Sequence, residues 1–349
     1  MRHFFIFQIL LHLSFTSYSQ DRIFLNADLE VVEQEDKKAL YYTKSNPIGM
    51  SERGYYLQQV YHLNNTIAKQ FETEGEVVNS AKIGSYISYF EDGTIHSKGS
   101  FKKNFKTGFW KEYYQNGHLK DNGKYIEGLK EGVWIKNFNN GKINYKYIVK
   151  YDENGFNYIR TDFINAWDST GIQTMIDRNG SISYWNEIEQ CFESGSFING
   201  KKEGTWKGFY ADSSAYYIET YENGDLISGK SWNKFNDEYS YTTLKTFAHP
   251  QKEYKKFYRE FNRQFETRLL GNNFFKIPEY FYFGTVFLKF EVKVDGSLTG
   301  FEFLVHQRDE VNGAAQKTLM SFGRWVPERK RGQLVHSSYF IPINFSTTF

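Results

Sequence analysis

Glycine and aromatic residues recur every 24 residues along the middle of the chain, between stretches of alternating apolar and polar positions. The segments Gly84-Ser-Tyr86, Gly108-Phe-Trp110 and Gly132-Val-Trp134 follow one another at this spacing. Gly204-Thr-Trp206 returns in the same register three periods after the last of them. A fixed period of about 20 to 50 residues is typical of repeat architectures. The pattern therefore predicts an array of equivalent structural units.

Each unit carries the signals of a β-hairpin. Asp-Gly or Asn-Gly dipeptides, which are typical of tight two-residue turns with positive φ, separate runs of aromatic and β-branched residues. They are Asp92-Gly93, Asn116-Gly117, Asn140-Gly141 and Asn223-Gly224. One hairpin cannot bury its aromatic face alone, so successive hairpins are expected to stack. Trp110, Trp134 and Trp206 are then predicted to be core residues, whereas residues 142–190 depart from the pattern and leave their structure open.

Two further patterns frame the array. Residues 20–80 are rich in tyrosine and have little helical period, which predicts a strand-rich lead-in that caps the first hairpin. After Pro250, apolar residues recur at three and four residues from Tyr254 to Leu269, which predicts an amphipathic linker helix. A helix on a membrane surface is the alternative, although its acidic residues weaken attraction to anionic lipid.

Strict alternation of apolar and polar residues replaces the 24-residue period near the end of the chain. It predicts one strand around 284–294, a second around 301–305 and a last strand over 335–345. A helix separates the second strand from the third, and Asn312 is predicted to cap it. The order strand, strand, helix, strand indicates a small α+β domain.

These patterns together predict a mainly β protein with an α+β part: a stacked β-hairpin array, a linker helix and a β-β-α-β domain. The predicted boundaries are 1–19 for a signal peptide, 20–80 for the lead-in, 81–245 for the array, 246–276 for the linker helix and 277–349 for the carboxy-terminal domain.

The amino terminus is typical of a secretory signal peptide. Arg2 precedes an apolar stretch from Phe4 to Phe15, and Ser17-Tyr18-Ser19 forms a small-x-small cleavage site. The apolar stretch is shorter than a helix that crosses a bilayer. We therefore expect export to the periplasm or elsewhere in a Gram-negative envelope, with no transmembrane segment after cleavage.

Composition and charge narrow the function further. The chain has 43 basic and 41 acidic residues, a net charge of +2. Because nucleic-acid binding usually needs a large positive charge, nucleic acid is not an expected partner. The single cysteine, Cys191, is interpreted as a small buried hydrophobe. The sequence has neither a metal-ligating histidine and cysteine pattern nor a nucleotide-binding or nucleophile motif. We therefore expect no metal, no cofactor and no enzymatic activity.

The repeats resemble the MORN-repeat variants of bacteria. The segments 108–117 and 132–141 carry this resemblance, since each has Gly-x-Trp followed by Asn-Gly, and it extends over about residues 81–235. The resemblance implies a hairpin array that acts as a scaffold. Some relatives are labelled as antitoxin components, a role that the export signal disfavours here.

The carboxy-terminal pattern resembles the carboxy-terminal domain of TonB. The residues that carry the resemblance lie at 277–278, 284–290, 295–296, 314–315, 325–327, 332 and 341–345. Glu328 departs from the family, which commonly has glycine after the proline. An energy transducer also needs an inner-membrane anchor and a long proline-rich spacer, and neither is expected here. The resemblance thus implies the domain and its docking habit without energy transduction.

In that family the last strand offers an open edge, to which a partner peptide adds by main-chain hydrogen bonds. The matching positions here are Val335, Ser337, Tyr339, Ile341 and Ile343. Pro342 lies among them and lacks an amide donor, which suits an edge strand. The alternative is that a preceding segment, 274–283, covers this edge.

The sequence supports two functions of different classes. The first is a non-catalytic exported scaffold of the bacterial envelope that binds a protein partner, such as an outer-membrane receptor peptide, or another copy of itself. The alternative is a module that binds glycan or cell wall through exposed aromatic residues of the array, with Tyr113, Tyr114 and Tyr125 as candidates. No motif identifies the partner or the oligomeric state.

Overall fold

The computed structural model describes residues 22–44, 47–152, 158–271, 283–304 and 309–346. The chain divides into two compact units, Met1–Arg178 and Asn179–Phe349. Both units consist mostly of antiparallel β-hairpins that follow one another along the chain, which confirms the prediction of a mainly β protein with stacked hairpins.

The described residues of the first unit form thirteen strands. Each strand from β4 to β12 pairs with the strand that follows it, and β1 joins this sheet through β2 and β4. The bounds are β1 (Arg22–Leu25), β2 (Tyr41–Lys44), β3 (Gly49–Met50), β4 (Tyr56–His62), β5 (Ile67–Thr73), β6 (Lys82–Tyr89), β7 (Ile95–Lys102), β8 (Phe105–Tyr113), β9 (Leu119–Ile126), β10 (Leu129–Asn137), β11 (Ile143–Tyr151), β12 (Tyr158–Trp167) and β13 (Gln173–Ile176).

The second unit continues with hairpin strands and then changes to a mixed module. Its hairpin strands are β14 (Asn179–Asn186), β15 (Cys191–Ile198), β16 (Lys201–Phe209), β17 (Ala215–Glu222), β18 (Asp225–Trp232) and β19 (Glu238–Tyr241). The elements after them are β20 (Lys245–Thr246), β21 (His249–Pro250), α1 (Tyr254–Gly271), β22 (Phe283–Val292), β23 (Leu298–Phe303), α2 (Asp309–Ser321), β24 (Trp325–Val326), β25 (Glu328–Lys330), β26 (Gln333–Val335) and β27 (Ser337–Ser346). We call the elements from α1 to β27 the carboxy-terminal module.

The Gly-x-Trp segments are β-bulges. In the β9–β10 ladder the register shifts between Glu131 and Ile135, and Gly132 within this shift has a φ of 66°. Glycine adopts this left-handed conformation without the steric cost that a Cβ brings. The bulge turns Trp134 into the core, where it is 1% exposed, while the intervening Val133 stays in solvent. Trp110 and Trp206 are equally buried, as the sequence predicts.

A second glycine in each repeat makes room for the indole. A Cβ on Gly123 would lie 2.3 Å from the Trp134 ring. A Cβ on Gly99 would lie equally close to Trp110, and one on Gly195 equally close to Trp206. The Trp134 Nε1 donates a hydrogen bond to the carbonyl of Lys124 at 3.2 Å. The Lys130 ammonium lies over the Trp134 indole, 4.0 Å from the centre of the ring. Glycine, tryptophan and lysine therefore form one packing unit that each clear repeat reproduces.

The hairpins use two kinds of turn. Turns in which both residues have positive φ lie at Lys103-Asn104, Glu127-Gly128, Asn199-Gly200 and Asn223-Gly224. The prediction of a two-residue turn is thus confirmed at the last of these and wrong at Asp92-Gly93, Asn116-Gly117 and Asn140-Gly141, where the glycine alone has positive φ. In those turns the first side chain accepts a hydrogen bond from the amide two residues on, as in Asp92 with Thr94 at 2.9 Å. The wider loop then ends in a glycine bulge.

The segment that departs from the repeat pattern also forms hairpins. Within 142–190, strand β11 pairs with β12, and β14 pairs with β15, which begins just after this segment at Cys191. Residues of the lead-in form strands β1 to β5, as predicted, and β5 pairs with β6, the first strand of the repeat array.

The helices of the carboxy-terminal module enclose one apolar core. The predicted amphipathic helix is confirmed as α1, and its buried residues Phe257, Phe261 and Phe265 belong to the same core as α2, β22 and β27. The helix is therefore part of this module's core. Helix α2 begins at Asp309, so Asn312 lies inside the helix and is buried, and the prediction that it caps the helix is wrong.

Candidate partner-binding edge in the carboxy-terminal module

The last strand lies at the edge of a three-stranded antiparallel sheet. The strand order is β23-β22-β27, and β27 pairs with β22 continuously from Ser337 to Ser346 without a register shift. In the described part of the chain, no strand pairs with the other side of β27. Of the segment 274–283, only Phe283 is described, as the first residue of β22, so its predicted role as a cover lies outside the described residues.

The predicted site residues divide between two strands. Ser337, Tyr339, Ile341 and Ile343 lie in β27, whereas Val335 lies in β26 and pairs with Glu328. Ile341 and Ile343 are 2% exposed and pack in the module core. Their side chains fix the strand from the inside, so the open edge offers main-chain groups rather than these side chains.

The outer face of the same sheet carries polar and aromatic residues. Phe340 is 60% exposed and lies opposite Lys289, which is paired with Glu302 at 2.9 Å. A partner strand added to β27 would therefore meet a large exposed ring on this face.

Tyr339 lies on the inner face close to the amino-terminal end of α1. Its ring centroid lies 5.7 Å from that of Trp325. Burial, together with the influence of the Tyr254 hydroxyl of α1, raises the pKa of Tyr339 above its usual value. The Tyr339 hydroxyl is therefore neutral at physiological pH, and its ring packs against Trp325 beside the strand.

The β25–β26 hairpin holds the module against the array strands of the second unit. Its two-residue turn, Arg331-Gly332, has φ values of 49° and 78°. The Arg331 amide donates to the carbonyl of Leu244 at 2.7 Å, and the Ser231 hydroxyl donates to the carbonyl of Arg331 at 2.7 Å. Strand β20 also pairs with β25. The tip of the hairpin is therefore fixed at both main-chain groups of Arg331.

The Arg331 guanidinium is the centre of a buried ion cluster. Its Nε lies 2.8 Å from Glu219, its Nη1 lies 2.9 Å from Glu189 and its Nη2 lies 4.0 Å from Glu193. The guanidinium also stands 4.0 Å over the Tyr217 ring. The Arg331 side chain is 7% exposed and that of Glu219 is fully buried. We call Arg331 and the three glutamates the arginine hub.

Tyrosines and lysines complete the hub. Glu219 accepts hydrogen bonds from the hydroxyls of Tyr221 at 2.9 Å and Tyr241 at 2.8 Å. Lys202 lies 3.7 Å from Glu193, and Lys330 lies 2.8 Å from Glu189. Three carboxylates thus face three cations, two of which come from the β25–β26 hairpin. Because buried charges are stable only when they are paired, the hub requires both the array strands and the module.

The pKa values in and beside the hub follow from burial and pairing. Burial alone would raise the pKa of Glu193, but Lys202 and the hydrogen bond from Tyr184 outweigh it and hold the pKa below its usual value. Burial raises the pKa of the Cys191 thiol to about 12, so the thiol is protonated at neutral pH. The cysteine is 0% exposed, in agreement with its interpretation as a small buried hydrophobe.

Little in the amino-acid sequence indicates the hub. Glu219 lies on the same face of β17 as Tyr217 and Tyr221. An acidic residue between two aromatic residues on one strand face is the one local feature that indicates a buried carboxylate here. Arg331 lies 112 residues away from Glu219, and no local pattern relates two residues at that distance. Glu328, the departure from the TonB pattern, forms an ion pair at 3.1 Å with Lys245 of β20.

The aromatic residues proposed for glycan binding have different surroundings. Tyr125 is 9% exposed and packs between Trp110 and Trp134, with ring centroids 6.0 and 4.9 Å away. Tyr113 and Tyr114 are half-buried, and the Tyr114 hydroxyl donates to the carbonyl of Asn137. Tyr125 is therefore a core residue, and it has no face open to a sugar.

Neither protein-family models nor curated proteins gave a match to this chain. Within the described residues, neither helix has the length and apolar character needed to cross a bilayer. The same residues contain no group of three or more histidine, cysteine or acidic side chains arranged to hold a metal ion.

Proposed function

We propose that the protein is a non-catalytic scaffold of the bacterial envelope that binds a protein partner at the open edge of β27. The observation that carries the proposal is a ten-residue strand that is paired on one side only within the described sheet. An unpaired strand edge presents a row of amide and carbonyl groups, and an extended peptide binds to such a row by continuing the ladder.

The surroundings of the edge favour specific binding over aggregation. Pro342 interrupts the row of donors, which is a common device for limiting pairing between edges. Phe340 on one face and Tyr339 on the other give an incoming strand two aromatic contacts for alternate side chains. The resemblance to the carboxy-terminal domain of TonB, and the predicted signal peptide, support a partner in the envelope.

The hub gives the scaffold its second property, a fixed connection between edge and array. Because the β25–β26 hairpin is fixed by main-chain bonds and by the hub, and β27 follows it after one residue, we infer that the partner strand is held in a defined position relative to β14–β19. A flexible tether would not require buried charges.

The register of β27 shows which amides to remove in a test. Pro342 has no amide hydrogen and lies opposite Phe287 in an uninterrupted ladder, so its nitrogen is best placed toward the open edge. Amides alternate along a strand, and those of Ser338 and Phe340 therefore face the open edge as well. Proline at these positions removes edge donors and leaves the bonds to β22 in place.

The experiment compares the double variant Ser338→Pro/Phe340→Pro with the control Ser338→Ala/Phe340→Ala. A photo-reactive side chain replaces the exposed His336, next to the start of β27, in both proteins. Cross-links are collected in living cells of the source organism and identified by mass spectrometry. We expect one set of envelope proteins to be cross-linked in the alanine control and lost in the proline variant. Equal cross-linking in both variants would contradict binding through the edge.

A further inference from the structure

The first unit has a strongly basic segment. Residues 95–150 contain 12 lysines and 4 acidic residues, a net charge of +8, whereas the whole chain has a net charge of +2. The excess is confined to strands β7 to β11 and their turns. Such a local field favours an anionic ligand even though the protein as a whole is nearly neutral.

Several of these lysines lie in one row on the face of the sheet opposite the tryptophans. Direct cross-strand partners share a face, and the ladder runs from Lys98 through Lys111, Asn122 and Ile135 to Lys146. We call these five residues the basic row. Neighbouring strands are about 4.8 Å apart, so the row spans roughly 19 Å.

The lysines of the basic row carry uncompensated charge. Within the described residues, Lys98, Lys111 and Lys146 have no ion pair with a carboxylate. Among the described residues of β7 to β12, the acidic side chains on this face are Glu131, opposite Lys124, and Asp162, which is paired with Arg160 at 2.9 Å. The row itself contains no acid.

Flat aromatic rings lie beside the same lysines. The Lys98 ammonium is 5.6 Å from the centre of the Tyr113 ring, and the Lys146 ammonium is 5.7 Å from that of Trp167. Phe109, which lies opposite Lys124 in the next row, is 77% exposed. The face thus combines a row that carries three lysines with exposed aromatic surface.

We propose that this face binds an acidic polysaccharide, a glycan that carries a carboxylate on successive sugars. The ammonium groups of Lys98, Lys111 and Lys146 attract a polymer that carries carboxylates along its length, and the apolar faces of sugars stack on flat aromatic rings. This site is separate from the edge of β27 and uses none of its residues. It also differs from glycan binding at Tyr125, which lies on the tryptophan face.

The experiment measures binding of the full chain to polygalacturonate, with uncharged dextran of similar size as the neutral probe. The variant Lys98→Gln/Lys111→Gln/Lys146→Gln is compared with Lys37→Gln/Lys38→Gln/Lys234→Gln, which removes three exposed charges elsewhere. We expect binding to polygalacturonate to weaken about ten-fold in the first variant and to change less than about two-fold in the control. Dextran should not bind.

Two further measurements complete the test. The first distinguishes the contribution of the aromatic ring from that of the lysine charges, and the second distinguishes binding to the polysaccharide from binding to a lipid surface. Phe109→Ser should weaken binding without reducing its dependence on salt, because the ring contributes no charge. Vesicles of phosphatidylglycerol in phosphatidylcholine provide the lipid probe. No binding to polygalacturonate, equal loss in both triple variants, or binding to the vesicles alone would overturn the proposal.

Discussion

At the scale of single residues, the repeat depends on glycines that serve two different purposes. A Cβ at Gly123 would overlap the Trp134 ring, whereas a Cβ at Gly132 would meet no atom within 4 Å and would only strain a positive φ. Both glycines look alike in the sequence. Their separate reasons appear only once the indole is placed over one of them.

Replacing Gly123 by alanine should therefore destabilise the first unit more than replacing Gly132. We expect a loss of about 3 kcal/mol for Gly123→Ala from overpacking, and about 1 kcal/mol for Gly132→Ala from backbone strain. Urea unfolding of the full chain, followed by tryptophan fluorescence, measures both values. Equal losses, or a larger loss at Gly132, would show that the indole does not lie over Gly123.

The lowered pKa of Glu193 predicts an acid dependence of stability. A carboxyl whose pKa is lower in the folded state stabilises the protein above its unfolded pKa, and this contribution is lost as the pH falls through the folded value. The usual value is 4.5, so the free energy of unfolding should decline below about pH 4.5. In Glu193→Gln the decline should be shallower, as urea unfolding at a series of pH values would show. An unchanged slope would mean that Glu193 is not held as a paired carboxylate.

At the scale of elements, α1 belongs to the carboxy-terminal core. Phe261 is fully buried between the helices, and its ring centre lies 6.1 Å from that of Phe322. Phe261→Ala should cost roughly 3 to 5 kcal/mol through the cavity it leaves, whereas the exposed Arg263→Ala should cost less than about 0.5 kcal/mol. Thermal unfolding monitored by near-ultraviolet circular dichroism distinguishes them. A small loss at Phe261 would indicate a helix that only connects two bodies.

Local patterns predicted the elements well because their causes are local. The 24-residue spacing predicts the hairpins, and the spacing of Phe257, Phe261 and Phe265 predicts α1, since the residues concerned are neighbours along one strand or helix. The turn at Asp92-Gly93 was predicted incorrectly because the hydrogen bond from the Thr94 amide to the Asp92 side chain selects a wider loop. Nothing in the dipeptide itself encodes that choice.

The candidate site was predictable only in part, for the same reason. The alternation from Ser337 to Ile343 predicts β27, and Pro342 indicates an edge. Val335 lies in the β25–β26 hairpin and not in β27, because the chain turns at Arg331-Gly332. The position of this turn depends on Glu219 and Glu189, which bind Arg331 and are more than a hundred residues away in the sequence. Charged residues give no periodic signal of such a contact.

At the scale of the whole molecule, the arginine hub couples the carboxy-terminal module to the array strands of the second unit. Arg331→Ala leaves Glu219 buried without its cation, which should cost about 3 to 5 kcal/mol. Amide hydrogen exchange should become faster in β17 as well as in the β25–β26 hairpin. The control Arg324→Ala, at a residue whose side chain is 70% exposed, should leave exchange unchanged. Faster exchange in the module alone would show that the two parts are stable independently.

The central claim is that β27 presents an open edge, and residue-resolved amide hydrogen exchange of the free protein tests it most directly. The amides of Tyr339, Ile341 and Ile343 should exchange slowly because they bond to β22, while those of Ser338, Phe340 and Asn344 should exchange at least about a hundred-fold faster. Slow exchange at all six positions would mean that another segment covers the edge, and the proposed mode of partner binding would then be wrong.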